Sequence, residues 1–226
     1  VTAVRGSSTL NPPEDPHMPQ GEAAAHMPTK ARMEALSDGI FAVAMTLLVL
    51  DIKMPDTVRL QGSAELWRHF ASVGHAFVVY ALSFVVLAMF WAGHNYQFHY
   101  VEKLDRRLLW INFAFLLATT TIPFTTNLIT THPELTLAVC IYAANILVLD
   151  LVLLLHVRRL QSVPALASHD FRAASGRHVQ RRLLLMAAVP LLAIAVSQVS
   201  PAWGLRTFYI LLALHFLPHP GSGEES

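Results

Sequence analysis

Apolar residues run along this chain in six stretches separated by short polar or charged links: about 32–53, Trp67–Asn95, Leu108–Thr131, Leu135–Val157, Leu183–Val199 and Ala202–Leu217. A helix rises 1.5 Å per residue, so about 20 apolar residues cross a hydrocarbon layer ~30 Å thick; the first four stretches meet that length and the last two fall short of it. The period-2 alternation of a membrane β-barrel is absent over these lengths. The pattern predicts an all-α membrane protein with six transmembrane helices. Pro123, in the outer half of the third stretch, removes a backbone donor and predicts a kink or a local unwinding there. Residues 1–30, rich in Pro, Gly, Ala, Ser and His, carry no apolar periodicity and read as a disordered tail without a signal-peptide core. The domain itself spans 31–217, and 218–226 (from Pro218, ending GSGEES) read as a flexible tail.

Composition agrees. The chain of 226 residues is 54% hydrophobic and 14% charged, where soluble domains carry about 25% charged residues. Its mean hydropathy is +0.46. Cys140 is the single cysteine and sits inside an apolar run, so neither a disulfide framework nor a cysteine metal site arises. The twelve histidines form no HExxH and no Cys/His cluster, and most fall at the ends of stretches. No metal, no cofactor and no nucleic-acid partner is expected.

The distribution of charge sets an orientation. With a cytoplasmic N-terminus, twelve of the sixteen Lys and Arg fall on inside segments, including the long loop Arg158–Arg182; only Lys53, Arg59, Arg68 and Arg206 fall outside. The positive-inside bias therefore puts both termini in the cytoplasm of a multi-pass plasma-membrane protein.

Depth along each helix then places the polar residues. Asp38 lies six residues past Arg32, about 9 Å inward. Trp91, His94 and Asn95 return to that level on the second helix, and Asn112 leaves from it on the third. Arg32, Ser37, Asp38, Trp91, His94, Asn95 and Asn112 are thus expected to form one interhelical polar network, because a carboxylate in hydrocarbon needs partners. A structural lock between helices is the plainer reading of this layer. A proton site through Asp38 and His94 is the sharper one, and Asp150 at similar depth is a weaker candidate for the same task. On the opposite face of the first helix, Val43, Leu47 and Leu50 make an i, i+4, i+7 apolar stripe flanked by Thr46. On these grounds alone ordinary helix packing is the better explanation of that stripe.

The first helix reads Arg32-x-x-x-Leu36-Ser37-Asp38, which resembles the Arg-x-x-x-Phe-Ser-Asp signature of the transmembrane protein 175 family of potassium channels, with Leu for Phe. Trp91, His94, Asn112 and Pro123-Phe124-x-Thr126 extend the resemblance, while Asn95 stands where the family has a second His. The family's animal members carry two six-helix repeats and this chain one. The resemblance therefore implies a homotetramer with the first helix of each copy lining a central pore. It also implies a leak-type, potassium-selective cation channel whose constriction, a hydrophobic gate, is built from Val43, Leu47 and Leu50, with Thr46 contributing to selectivity and K+ as the permeating ion. The sequence has no TVGYG carbonyl filter, so any selectivity would come from first-helix side chains. A secondary ion- or proton-coupled transporter is the alternative, although no inverted repeat is visible. An integral membrane enzyme recruiting Asp38, His94 and Asp150 is a third reading, without a nucleophile motif to support it.

Overall fold

The computed structural model describes residues 28–52, 62–169, 171 and 176–210. Residues 1–27 of the expected tail 1–30, residues 211–217 of the sixth stretch and the expected tail 218–226 lie outside the described residues. The element order is α1 (Lys30–Leu47) with a 3-10 turn Leu48–Asp51, α2 (Ser63–Ser72), α3 (Gly74–His99), α4 (Arg106–Thr120), α5 (Ile122–Thr131), α6 (Thr136–Ser162), α7 (Gly176–Ser197) and α8 (Pro201–Arg206). Among the described residues, five helical segments are long and apolar enough to cross a membrane: 30–50, 74–99, 106–131, 136–162 and 176–197. The sixth expected helix is represented by α8 and the few residues after it.

Helix α6 is the spine. Helices α7, α4 and α5 pack along it, while α1 rests on α3, α4 and α5. The core is aliphatic and aromatic: Phe41, Leu48, Leu87, Phe90, Phe115, Ile122, Tyr142, Ile146 and Leu149 are all buried. Phe115 joins three helices, with Phe41 of α1 at 5.7 Å and Phe90 of α3 at 6.4 Å between ring centroids. Large side chains such as Leu117, Phe124 and Leu137 remain exposed on the outside, as lipid-facing positions require.

Three boundaries differ from the sequence pattern. The second stretch is two helices, because the chain breaks at Val73; Trp67 belongs to the short, amphipathic α2 and is 74% exposed. The polar loop expected over 158–182 is shorter, since α6 continues to Ser162 and α7 begins at Gly176. Arg158 and Arg159 are good helix formers, and Arg159 finds an acidic partner, so charge does not end the helix there. Gly176 is required by closeness: a Cβ at this position would lie 2.6 Å from the Gln161 amide and 2.9 Å from the Phe171 carbonyl oxygen.

The third stretch breaks where proline dictates. Pro123 sits in the first turn of α5, where its missing N–H costs nothing, and Thr121 joins α4 to α5. Thr119, Thr120 and Thr121 turn their hydroxyls back to the carbonyls of Phe115, Leu117 and Ala118 at 2.7–2.9 Å. Asn145 of α6 closes the gap. With its amide nitrogen donating to Ala118 O (3.1 Å), its oxygen accepts from the Ile122 N–H (3.3 Å).

Candidate functional site

Helix α1 has two faces, and the helical phase separates them. Met33, Ser37, Phe41 and Ala44, followed by Leu48, point into the protomer and are buried. Leu36, Val43, Leu47 and Leu50 point out and are 41%, 57%, 43% and 66% exposed. In a continuous α-helix Leu50 would sit ~60° off Leu47, but the 3-10 turn advances ~120° per residue and brings Leu50 back over Leu47. The tightening thus straightens the stripe. An open apolar groove of about 390 Å³ runs beside it, lined by Leu36, Gly39, Ile40, Val43, Leu47 and Thr120 among others. The Thr46 hydroxyl donates to the Val43 carbonyl at 2.8 Å, which occupies its proton and leaves its oxygen free to accept.

The polar layer assembles in part as its depth predicts. Trp91 Nε1 donates to Asp38 Oδ1 at 2.8 Å, tying α3 to α1. His94 Nε2 meets Asn112 Oδ1 at 2.7 Å, tying α3 to α4, and the buried His94 ring stacks on Phe115 at 5.0 Å and on Phe98 at 4.4 Å. The other expected members stand apart. Ser37 is buried but donates to its own helix at Met33 O (2.9 Å). Asn95 and Arg32 are exposed. Ser37 and Asp38 are neighbours in depth, yet 100° of rotation sends one inward and the other to the edge of α3.

Several polar residues escape the sequence reading. Gln97 and His156 form a second buried pair, Gln97 Oε1 to His156 Nδ1 at 2.8 Å, linking α3 to α6. Ser83, Thr126 and Tyr142 make a hydroxyl triad at the far end of the bundle, at 2.9 and 3.1 Å. Asp150, which the sequence reading did name as the weaker candidate, is buried, and neither carboxyl oxygen has a protein partner among the described residues. His156 falls near the end of its apolar run, where histidines were expected at the interface; only packing against α3 reveals its burial.

At the Arg-rich end, Asp105 caps α4, its Oδ1 accepting from the Leu108 N–H at 2.7 Å. Its other oxygen holds the Arg159 guanidinium of α6. Partial burial works to raise the Asp105 carboxyl, but the hydrogen bonds from Arg159 and the Leu108 N–H outweigh it and hold the group below the usual carboxylate range. The segment after α6 folds back over the α3–α4 link. Glu102 N–H donates to Leu166 O at 2.8 Å and Ser168 N–H to Tyr100 O at 3.2 Å, and the buried Phe171 ring stacks on Tyr100. Among the described residues no group of three or more His, Cys, Asp or Glu is placed to hold a metal ion.

These features have counterparts in known proteins. Residues 32–123 match the family described as endosomal/lysosomal potassium channel TMEM175. A potassium channel of Streptomyces collinus is 36% identical over 103 residues, 46% of this chain and 48% of that one. A potassium channel of Chamaesiphon minutus is 29% identical over 192 residues, 82% of this chain and 92% of that one. The human endosomal/lysosomal proton channel TMEM175 is 24% identical over 191 residues, 83% of this chain but 37% of that protein. The match therefore spans about half the length of the Streptomyces relative and nearly all of the Chamaesiphon one. In three dimensions the fold is that of a crystal structure of a lysosomal potassium-selective channel TMEM175 homolog from Chamaesiphon minutus, with a TM-score of 0.72 and 24% identity over 82% of this chain and 96% of that one. The outward stripe of α1 and the Asp38–Trp91 and His94–Asn112 bonds all lie within 32–123, the segment of this chain that is similar to the TMEM175 family.

Proposed function

We propose that this chain forms a leak-type, potassium-selective cation channel, a homotetramer in which the α1 helices of four copies surround a central pore. One observation carries the reading: α1 is a membrane-length helix with one face buried in its protomer and the other an aligned, exposed row of Val43, Leu47 and Leu50. A row of this kind, repeated around an axis, gives stacked apolar rings. Relatives named as potassium channels supply the ion. Thr46 stands beside the rings with a free lone pair to offer a passing cation. The Asp38–Trp91 and His94–Asn112 bonds serve as the lock that fixes α1 against α3 and α4, so that the row keeps its direction. The protein is purified into liposomes, and potassium flux is compared with sodium, N-methylglucamine and proton flux. Diffusive flux with potassium ahead of sodium is expected. Saturable, substrate-driven exchange would replace the channel with a transporter.

The same reading sets the topology, with both termini and the Arg-rich α6–α7 link cytoplasmic and the α5–α6 turn outside in the plasma membrane, following the Lys and Arg bias. Ala165 and Glu134 are both exposed and lie at opposite ends of α6. In a Cys140→Ser background, Ala165→Cys should react with an impermeant maleimide only after the cytoplasmic side is opened, and Glu134→Cys in intact cells. Labelling of both from one side would overturn the topology.

A further inference from the structure

The pair Gln97–His156 does not complete its own hydrogen bonding. Gln97 Oε1 lies 2.8 Å from His156 Nδ1 and can only accept, so Nδ1 carries a proton; in the neutral imidazole this leaves a bare lone pair on Nε2. His156 Nε2 and the Gln97 amide nitrogen have no protein partner among the described residues, although both residues are 2% exposed or less. The same holds for the amide nitrogen of Asn112, whose oxygen is taken by His94. The two pairs are neighbours: the His94 and His156 rings lie 6.1 Å apart, and Phe98 stacks on both. Three orphaned nitrogens thus collect where α3, α4 and α6 meet, in a class of group that is nearly always satisfied when buried.

Their chemistry selects the ligand. Two are NH2 groups that only donate, and one is an imidazole nitrogen that only accepts. A cation would face the amide hydrogens. An anion would face the imidazole lone pair. Arg159, three residues past His156 on α6, is engaged by Asp105. A molecule that both accepts and donates fits the set, and a buried water makes about three hydrogen bonds. We propose that each protomer holds a structural water site between α3, α4 and α6, bound by Gln97 and His156 with Asn112 at its α4 edge. The water gives the His156 ring a route for proton exchange that the packing would otherwise deny it. The site lies within one protomer, behind the face of α1 that carries the apolar row, and does not depend on the ion the protein conducts.

The test uses the full chain in liposomes, uniformly labelled with 13C and 15N, and water-edited magic-angle-spinning NMR. The His156 ring is assigned by the signal lost in His156→Asn or, where that variant does not fold, by through-space correlation with Gln97 and Phe98 in the unaltered protein. Magnetisation from water is expected to reach the His156 ring nearly as fast as it reaches His132, which is half exposed at the end of α5. Transfer as slow as to the methyl groups of Leu87, in the dry core, would mean that the pair is anhydrous and overturn the proposal.

Discussion

Asparagine in place of Leu47 is expected to raise resting potassium flux and to erode the preference for potassium over sodium. An apolar ring offers a cation no replacement for its hydration shell, and full dehydration into such a medium costs tens of kcal/mol by Born estimates. In the proposed pore, passage therefore requires the ion to keep much of its water, and narrowing or dewetting of the rings would close the path. Leu47 is 43% exposed on its protomer and stands between Val43 and Leu50 in the aligned row, so in the proposed tetramer a change there acts on the middle ring. An amide at that position hydrogen-bonds to the ion's water and keeps the constriction wet. Lowering the barrier by only about 1.4 kcal/mol raises flux about tenfold. Selectivity falls at the same time, because potassium's advantage lies in the weaker hold on its water, and a wet ring no longer demands that the ion loosen it. Leu50→Asn should act in the same direction. Leu47→Met, apolar and of similar volume, should leave both quantities near their original values. Flux is read in liposomes with potassium or sodium gradients. If Asn at Val43, Leu47 and Leu50 together leaves flux and selectivity unchanged, the row is packing surface and the pore lies elsewhere.

Asp105→Ala is expected to destabilise the fold. One carboxylate serves two helices, capping α4 through Leu108 N–H and gripping Arg159 of α6 with its second oxygen. Loss of an N-cap costs about 0.5–2 kcal/mol. The ion pair, with both side chains about a quarter exposed, contributes up to about 1 kcal/mol more after solvent screening. Asp105→Asn keeps the cap and loses the charge, so it should cost less. The two variants separate the roles, and thermal unfolding in detergent reads them. The linkage sign follows from the lowered carboxyl of Asp105. A group whose folded pKa is depressed contributes stability above its unfolded value, 3.8 here, and loses it as pH falls through the folded value. The difference between the original protein and Asp105→Ala should therefore be constant from pH 7 to about 5 and shrink below about 4. A gap that instead closes between pH 7 and 5 would assign the effect to another group.

Sequence alone located five helical segments of membrane-crossing length and named residues that share a depth. Both follow from counting: apolar length against hydrocarbon thickness, and residues from a charged end at 1.5 Å each. Counting put Trp91 level with Asp38 and Asn112 level with His94, and it marked the stripe of α1 and the break at Pro123. What counting cannot supply is the rotation of each helix about its own axis, which is set by the packing of all its neighbours at once. Ser37 was level with the network but turns to its own backbone, and Asn95 was level with His94 but faces outward. Gln97 and His156 gave no signal, because their pairing depends on two helices distant in sequence presenting those faces to each other. Asp105 and Arg159 met for the same reason, and their meeting lets α6 run past the point where charge suggested a loop. Depth is a property of each helix taken singly, so the sequence carries it; azimuth is a property of the assembled bundle, so only the tertiary structure could decide it.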